Sequence, residues 1–134
     1  MVAAEIGLIG RVLFGALLAF TGVNHFQSVD AMTGYAEHKG LPLPRVGVVG
    51  SGVVLVGGGL GVVAGIAPVL ASGALAVFLV AAAVLFHDFW AAAEEEAQNE
   101  MNHFIKNVAL AGGALGFLAA GPAVWTYGVG VGVF

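Results

Sequence analysis

The chain has 134 residues, of which 60% are hydrophobic and only 9% are charged, and its formal net charge is −4. Soluble domains carry about 25% charged residues, so this composition excludes an ordinary soluble domain and predicts an integral membrane protein. The chain has no cysteine, which excludes disulfides, thiolate metal ligands and iron–sulfur clusters held by this chain. It also lacks a basic patch, so nucleic acid is not expected among its partners.

Four hydrophobic segments are predicted to cross the lipid bilayer, because each is close to the about 20 residues that a spanning helix needs. They cover approximately residues 6–23, 45–66, 68–90 and 102–122. Lipid offers no partner to an open backbone, and no alternation of period two supports a barrel, so each segment is predicted to be a helix. We therefore expect an all-α fold in which residues 1–134 form a single integral membrane four-helix bundle, with a short interfacial helix between helices one and two.

The three connections between these segments differ in length and chemistry. The first contains a short helix over 28–39, which we expect to lie on the membrane surface and to end at Gly40. The second, 65–68, is a tight turn that makes helices two and three an antiparallel hairpin. The third, 91–101, consists of strong helix formers and carries four glutamates, so helix four is expected to begin outside the membrane.

An even number of spans places both termini on one side of the membrane and both long loops on the other. The loop side carries all four histidines, whereas the opposite side is almost free of polar groups. Trp90 on the loop side, and Trp125 with Tyr127 on the other, are typical of interfacial aromatic belts. The positive-inside rule favours cytoplasmic loops and external termini in a cell membrane. The basic residues that decide this are Lys39, Arg45 and Lys106 on the loop side and Arg11 on the other.

A layer of histidines and one carboxylate is predicted at the loop-side ends of the helices. Its members are His25 on helix one, His87 and Asp88 on helix three, and His103 on helix four. Polar groups at a membrane boundary are costly, which makes this layer the expected functional site. The imidazoles could ligate a metal, hydrogen-bond a quinone carbonyl or shuttle a proton, or they could simply bond to water, headgroups or backbone.

Helix four carries further polar positions on one face, because His103, Lys106 and Asn107 are spaced i, i+3 and i+4. Lys106 either snorkels to the headgroups or pairs with Asp88 at the facing end of helix three. Asn107 lies deeper and is expected to hydrogen-bond across helices. Glu100 and His103 have the Glu-x-x-His spacing of di-iron bundles, but such a site needs two of these pairs and two more carboxylates. A di-iron centre within one protomer is therefore not predicted, and no residue is assigned as a metal ligand.

Arg11 lies near the other end of helix one, about 21 Å from His25 at 1.5 Å per residue, and cannot belong to the histidine layer. We interpret it as a structural intramembrane charge that either snorkels or pairs with Glu5, the C-terminal carboxylate or a ligand headgroup.

Glycines recur at a spacing of four, as in Gly57, Gly61 and Gly65, and again in Gly112 and Gly116. This spacing is typical of membrane helices whose backbones approach closely, and it predicts packing within the bundle or between protomers.

Taken together, these residues resemble the DoxX family of small four-helix membrane proteins over almost the whole chain. The most specific similarity lies in the blocks His87–Trp90 and Phe104–Asn107. Further similarity lies in Arg11, Phe14–Gly15, Gly22, Asn24–Phe26, Tyr35–Pro42, Gly57–Gly59 and Leu110–Gly113. The resemblance implies a membrane redox context, because the family is associated with sulfur and quinone metabolism and with membrane-bound oxidative-stress complexes.

The leading functional hypothesis is a small integral subunit of a membrane redox complex that binds a quinone or a similar amphipathic substrate near the loop side. The binding candidates are His25, His87, Asp88, His103, Lys106 and Asn107. The alternative is a non-catalytic assembly or scaffold subunit. In either case the lipid bilayer and a protein partner, either a second copy or another subunit, are the expected neighbours.

Overall fold

The computed structural model describes residues 1–131, which form five α-helices and a C-terminal 3₁₀ turn and contain no strand. The elements are α1 (Val2–Gln27), α2 (Val29–His38), α3 (Pro44–Ala64), α4 (Pro68–Phe86), α5 (Glu94–Leu118) and the 3₁₀ turn (Pro122–Trp125). The all-α class is therefore confirmed for this part of the chain. Three helices, α1, α3 and α4, are long and apolar enough to cross a membrane, which supports a membrane protein. The fourth predicted span falls on α5, which is not among these three.

Proline and glycine set several helix boundaries. Pro44 and Pro68 begin α3 and α4, where the missing N–H of proline costs no hydrogen bond. Gly65 ends α3 with a φ of 68° and Gly40 follows α2 with a φ of 75°, a left-handed conformation that glycine adopts without steric cost. The tight turn expected between helices two and three is present.

The third helix is shorter than the sequence suggested, since α4 ends at Phe86 and not near Trp90. His87 has a φ of −118° and a ψ of 45°, and its carbonyl accepts the N–H of Phe89. The next turn is closed by Asp88, whose carbonyl accepts the N–H of Ala91. These local bonds replace the helical ladder, so His87 and Asp88 lie on a turn between two helices.

The helices pack as neighbours in the order α1, α3, α4 and α5, and α2 contacts α3. The buried core lies between them and includes Leu18, Leu55, Val62, Leu75 and Leu79. α1 and α3 approach so closely at Gly15 and Gly59 that a Cβ on either glycine would meet the carbonyl oxygen of the other. Small residues thus allow the closest helix contact, as expected in a membrane protein.

The predicted glycine pattern accounts for only part of this packing. Gly61 lies against Ala71, and Gly65 is the helix cap described above. Cβ atoms on Gly57, Gly112 and Gly116 would instead meet open space, because these positions face away from the bundle. Packing within the bundle is therefore the wrong prediction for these three, and packing between protomers stays a prediction.

The segment after α5 folds back under the turn between α3 and α4. The N–H of Val129 donates to Ala64 O at 2.7 Å, and the N–H of Ala67 donates to Val131 O at 2.9 Å. The Arg11 guanidinium lies over the ring of Trp125, at 5.2 Å from its centroid, and the interfacial belt expected at Trp125 stays a prediction. This end of the bundle is closed by the chain's own C-terminal segment.

Candidate functional site

The candidate site lies where α4 gives way to α5, and its centre is His87. Nδ1 of His87 donates to Glu100 Oε2 at 2.8 Å, and both side chains are mostly buried, with exposed fractions of 21% and 14%. The imidazole of His103 stacks on that of His87, with ring centroids 5.0 Å apart and planes inclined by 22°. The structure therefore brings together two of the predicted histidines, and it adds Glu100 as the residue that orients one of them.

An aromatic cluster adjoins the histidine pair in the chain. Phe89, Trp90 and Phe104 contact each other edge to face, at centroid distances of 5.2 to 5.8 Å. Such pairs stabilise a fixed arrangement of rings beyond the area that they bury. Flat apolar rings and polar ring nitrogens thus occur on the same two segments, since Phe89 and Trp90 follow His87–Asp88 and Phe104 follows His103.

Asp88 forms an ion pair, but with a different lysine from the one predicted. Lys39 Nζ donates to Asp88 Oδ1 at 2.5 Å, whereas the Lys106 side chain is exposed. This bond lowers the pKa of Asp88 below its ordinary value, and it raises the pKa of Lys39. The predicted pair between Lys106 and Asp88 is wrong, because α2 brings a competing ammonium to the carboxylate.

A second contact from α2 reaches the end of α4. The hydroxyl of Tyr35 donates to Phe86 O at 3.1 Å, and the two aromatic rings stack with centroids 5.9 Å apart. Burial raises the pKa of the Tyr35 phenol. This residue and Lys39 therefore contact the residues on either side of His87.

His25 does not join the other histidines. Ser51 Oγ donates to Val48 O at 2.8 Å, so it accepts the Nδ1–H of His25, also at 2.8 Å. This contact lies between α1 and α3, whereas His87 and His103 meet between α4 and α5. The prediction of one histidine layer is wrong for His25, because a hydroxyl on the neighbouring helix satisfies its ring.

The remaining candidates on α5 have different surroundings. Asn107 is 6% exposed, so its side chain lies within the bundle, and its expected hydrogen bond across helices stays a prediction. Lys106 points outward, which agrees with the alternative that it snorkels along the helix.

Arg11 is fully buried at the opposite end, where it binds backbone carbonyls. Its Nε and Nη2 donate to Val62 O at 2.9 Å and Val63 O at 2.5 Å, in the last turn of α3. Its Nη1 donates to Val124 O at 3.2 Å. Main-chain carbonyls, two of them left unpaired at the end of α3, are thus the acceptors in place of the Glu5 carboxylate considered above. The C-terminal carboxylate lies outside the described residues, and a ligand headgroup is not tested by these contacts.

The site has no arrangement suited to a metal within residues 1–131, where no group of three or more histidine and carboxylate side chains converges. The reason is visible at His87 and His103, because nearly parallel stacked rings do not direct their nitrogens to one point. The arrangement is better suited to hydrogen bonding. Since Nδ1 of His87 is bonded to Glu100, Nε2 is the nitrogen that could bond to a ligand.

Three residues of this region were not among the predicted site residues. Glu100 carried a usable signal, because its i, i+3 spacing places it on the same helix face as His103. Tyr35 and Lys39 carried no signal of this kind, since their partners lie 51 and 49 residues away in the chain.

Comparison with protein-family models matches residues 6–88 to the DoxX family. No curated protein and no solved structure matches the chain significantly. The family match includes Lys39, His87 and Asp88 and ends before α5, which contributes Glu100 and His103. Because the match covers more than half of the chain, the protein belongs to the DoxX family.

Proposed function

We propose that this protein is a small integral subunit of a membrane redox complex, and that it binds a quinone or a similar amphipathic substrate beside His87. The observation that carries this proposal is the half-buried His87–Glu100 hydrogen bond, stacked on His103 and flanked by an aromatic cluster. A quinone ring is recognised by a flat apolar surface and a donor to its carbonyl oxygen, and this site offers both. Membership of the DoxX family supports the membrane context.

Each residue has a distinct role in this proposal. Glu100 accepts from Nδ1 of His87 and fixes the ring. In the imidazolium form both ring nitrogens carry a proton, so Nε2–H donates to a quinone carbonyl while Nδ1–H stays bonded to Glu100. His103 is the second proton-carrying group, and Phe104 contributes an aromatic surface. Reduction of a quinone to a quinol consumes two electrons and two protons. We propose that the electrons come from a partner protein or directly from a reduced substrate, since the chain has no thiol to relay them.

The proposal includes a topology. α5 has 25 residues and is about 37 Å long, enough to cross the bilayer as a fourth helix with its acidic first turns outside. α2 then lies at the interface, and the loop side faces the cytoplasm by the positive-inside rule.

The test is quinone binding to the purified protein in lipid nanodiscs, followed by tryptophan fluorescence. Trp90 lies in the aromatic cluster at the site, and Trp125 lies at the opposite end. We expect saturable quenching by a short-chain quinone in a Trp125→Phe variant, and much weaker quenching in Trp90→Phe. His87→Ala should weaken binding at least tenfold.

His38→Ala is the matched control, because His38 is an exposed histidine on α2 and should leave the affinity unchanged. Equal quenching of the two tryptophans, or unchanged affinity in His87→Ala, would contradict the proposal.

The second candidate function is a scaffold subunit without chemistry, and one observation favours it. The polar groups at the loop-side end already have partners within the chain, in the pairs Lys39–Asp88 and His87–Glu100. Glu94, Glu95 and Glu96 are exposed beside them and could dock a basic partner. A co-purified complex whose activity survives the His87→Ala substitution would support this function and contradict the first.

A further inference from the structure

His87 lies on a turn that is held from outside by one short helix. The residue before it, Phe86, accepts a hydrogen bond from Tyr35 and stacks on the Tyr35 ring. The residue after it, Asp88, is paired with Lys39. Tyr35 is in α2 and Lys39 is its C-terminal cap, one helical turn later, so a single element contacts both neighbours of His87.

The turn itself supplies little support for the position of His87. The backbone leaves the helical conformation there, and the bonds that follow it join residues only two or three positions apart. Such local bonds define a turn but do not fix it relative to α5, where Glu100 and His103 lie. Phe89, two residues after His87, packs against Phe104 of α5. The contacts from α2 are the tertiary contacts described for the residues directly before and directly after the imidazole.

α2 is rigid enough for this role. Its Ala36 is fully buried, and α2 packs against α3. Its end is a Schellman motif, in which Gly40 N–H donates to Glu37 O at 2.9 Å and Leu41 N–H donates to Ala36 O at 3.0 Å. This motif fixes the backbone of Lys39 immediately before Gly40.

We infer that α2 positions His87, with Tyr35 and Lys39 acting as positioning residues that hold its ring against Glu100 and His103. The positioning of His87 by α2 does not depend on any ligand, whereas its effect on quinone affinity rests on the proposed function. Neither residue needs to touch the quinone. The sequence block Tyr35–Gly40 is thus part of the site through the turn that it holds.

The direct test is the ring ¹⁵N NMR spectrum of histidine-labelled protein in nanodiscs at neutral pH, without quinone. The signal of His87 is identified by its loss in His87→Gln, and its Nδ1 shift reports the bond to Glu100. We expect Lys39→Gln and Tyr35→Phe each to move or broaden this signal. Lys39→Arg, which keeps a cation beside Asp88, should restore it largely to the wild-type shift.

Asp30→Asn is the matched control, because it removes the other ion pair of α2, with Arg45, which contacts neither neighbour of His87. This variant should leave the His87 signal unchanged. If Lys39→Gln unfolds the protein, Tyr35→Phe still decides the matter, since it removes one hydroxyl and keeps the stacked ring. An unchanged His87 signal in folded Lys39→Gln and Tyr35→Phe would overturn the inference.

Measuring quinone affinity in the same variants distinguishes failure of the positioning role from failure of the proposed function. We expect the two positioning variants to weaken binding about fivefold to tenfold while Asp30→Asn does not. If wild-type protein binds no quinone but its His87 signal responds to Lys39→Gln, the proposed function fails and the positioning role stands. If quinone binds to wild-type protein but the His87 signal does not respond to Lys39→Gln, the positioning role fails and the proposed function stands.

Discussion

Arg11 is a cation in an apolar helix whose guanidinium is satisfied entirely by main-chain oxygens. Two of its acceptors lie in the last turn of α3 and the third lies in the C-terminal 3₁₀ turn. The carbonyls at the C-terminal end of a helix lack hydrogen-bond donors and carry a partial negative charge. A cation there donates hydrogen bonds to them and is attracted by that charge. The planar fork of arginine suits several acceptors at once, whereas lysine presents a single ammonium.

Arg11→Leu should therefore destabilise the protein strongly. It leaves buried carbonyls without donors, and the expected loss in the free energy of unfolding is about 3 kcal/mol or more. Arg11→Lys should lie between this variant and wild type. Thermal unfolding in detergent is the measurement, and Arg45→Leu is the control. Arg45 forms an exposed ion pair, which contributes about 0–1 kcal/mol. Equal losses in the two leucine variants would contradict this account.

The Lys39–Asp88 pair predicts how stability depends on pH. The pKa of Asp88 is lowered by the bond from Lys39, so its contribution is present above the unfolded value of about 3.9 and is lost as the pH falls through the lower folded value. The pKa of Lys39 is raised by the same bond, so its contribution is present below about 10.4 and is lost as the pH rises through the higher folded value.

Lys39→Gln should accordingly lower the unfolding temperature by a few degrees at neutral pH. The difference from wild type should shrink as the pH falls through the lowered folded pKa of Asp88, because the carboxylate is then protonated in both proteins. Unfolding followed by circular dichroism over this pH range checks it. Asp30→Asn should give a much smaller difference at neutral pH, because the Asp30–Arg45 pair is exposed. A Lys39→Gln difference that persisted in acid would point to lost packing and not to lost charge.

At the scale of the elements, the contact between α1 and α3 depends on two glycines. Gly15→Ala places a methyl group against the backbone of Gly59, and the helices must separate to accommodate it. We expect a loss of about 1–3 kcal/mol. Gly57→Ala faces open space and should be neutral or stabilising, because alanine is the better helix former by roughly 1 kcal/mol. Unfolding of both variants in the same detergent compares them, and equal effects would contradict the packing argument.

The elements were predictable where local sequence decides them. Pro44 marked the start of α3 and Gly65 marked its end, and Gly40 marked the end of α2. The end of α4 was placed too late, because the apolar residues Phe89 and Trp90 follow His87 and Asp88, whereas local turn bonds replace the helical hydrogen bonds after His87. Spacing alone also chose glycines that face outward, since which face of a helix meets its neighbour is decided by tertiary packing.

At the scale of the whole molecule, the proposed topology predicts that the two ends of α5 lie on opposite sides of the membrane. Single introduced cysteines can test this, because the chain has no cysteine of its own. Single cysteines can replace two exposed residues, Glu95 in the first turn of α5 and Ala123 in the 3₁₀ turn that follows the other end of this helix. If α5 spans the bilayer, a membrane-impermeant thiol reagent should label Glu95→Cys from the cytoplasmic side and Ala123→Cys from the outside. Labelling of both from one side would show that α5 does not cross, and exchanged sides would reverse the proposed orientation.

The candidate site was predictable only in part, for a reason that belongs to the whole molecule. The polar residues at the ends of two consecutive helices indicated His87 and His103, which do meet. The partners of Asp88 and His25 come from α2 and α3, and no local pattern could rank Lys39 above Lys106. The topology decides which polar groups lie at the same end of the bundle. The rotation of each helix about its own axis decides which of these groups pair.

The acceptors of Arg11 also set an order for biogenesis. Two of them belong to residues synthesised about fifty positions later, and Val124 follows 113 positions after Arg11. When α1 leaves the ribosome, its guanidinium has no acceptor in the nascent chain, so it must remain near the headgroups or within the insertion machinery. α1 can therefore bury Arg11 at its final position only after these later residues have been made, and the acceptor at Val124 exists only once the 3₁₀ turn has been synthesised.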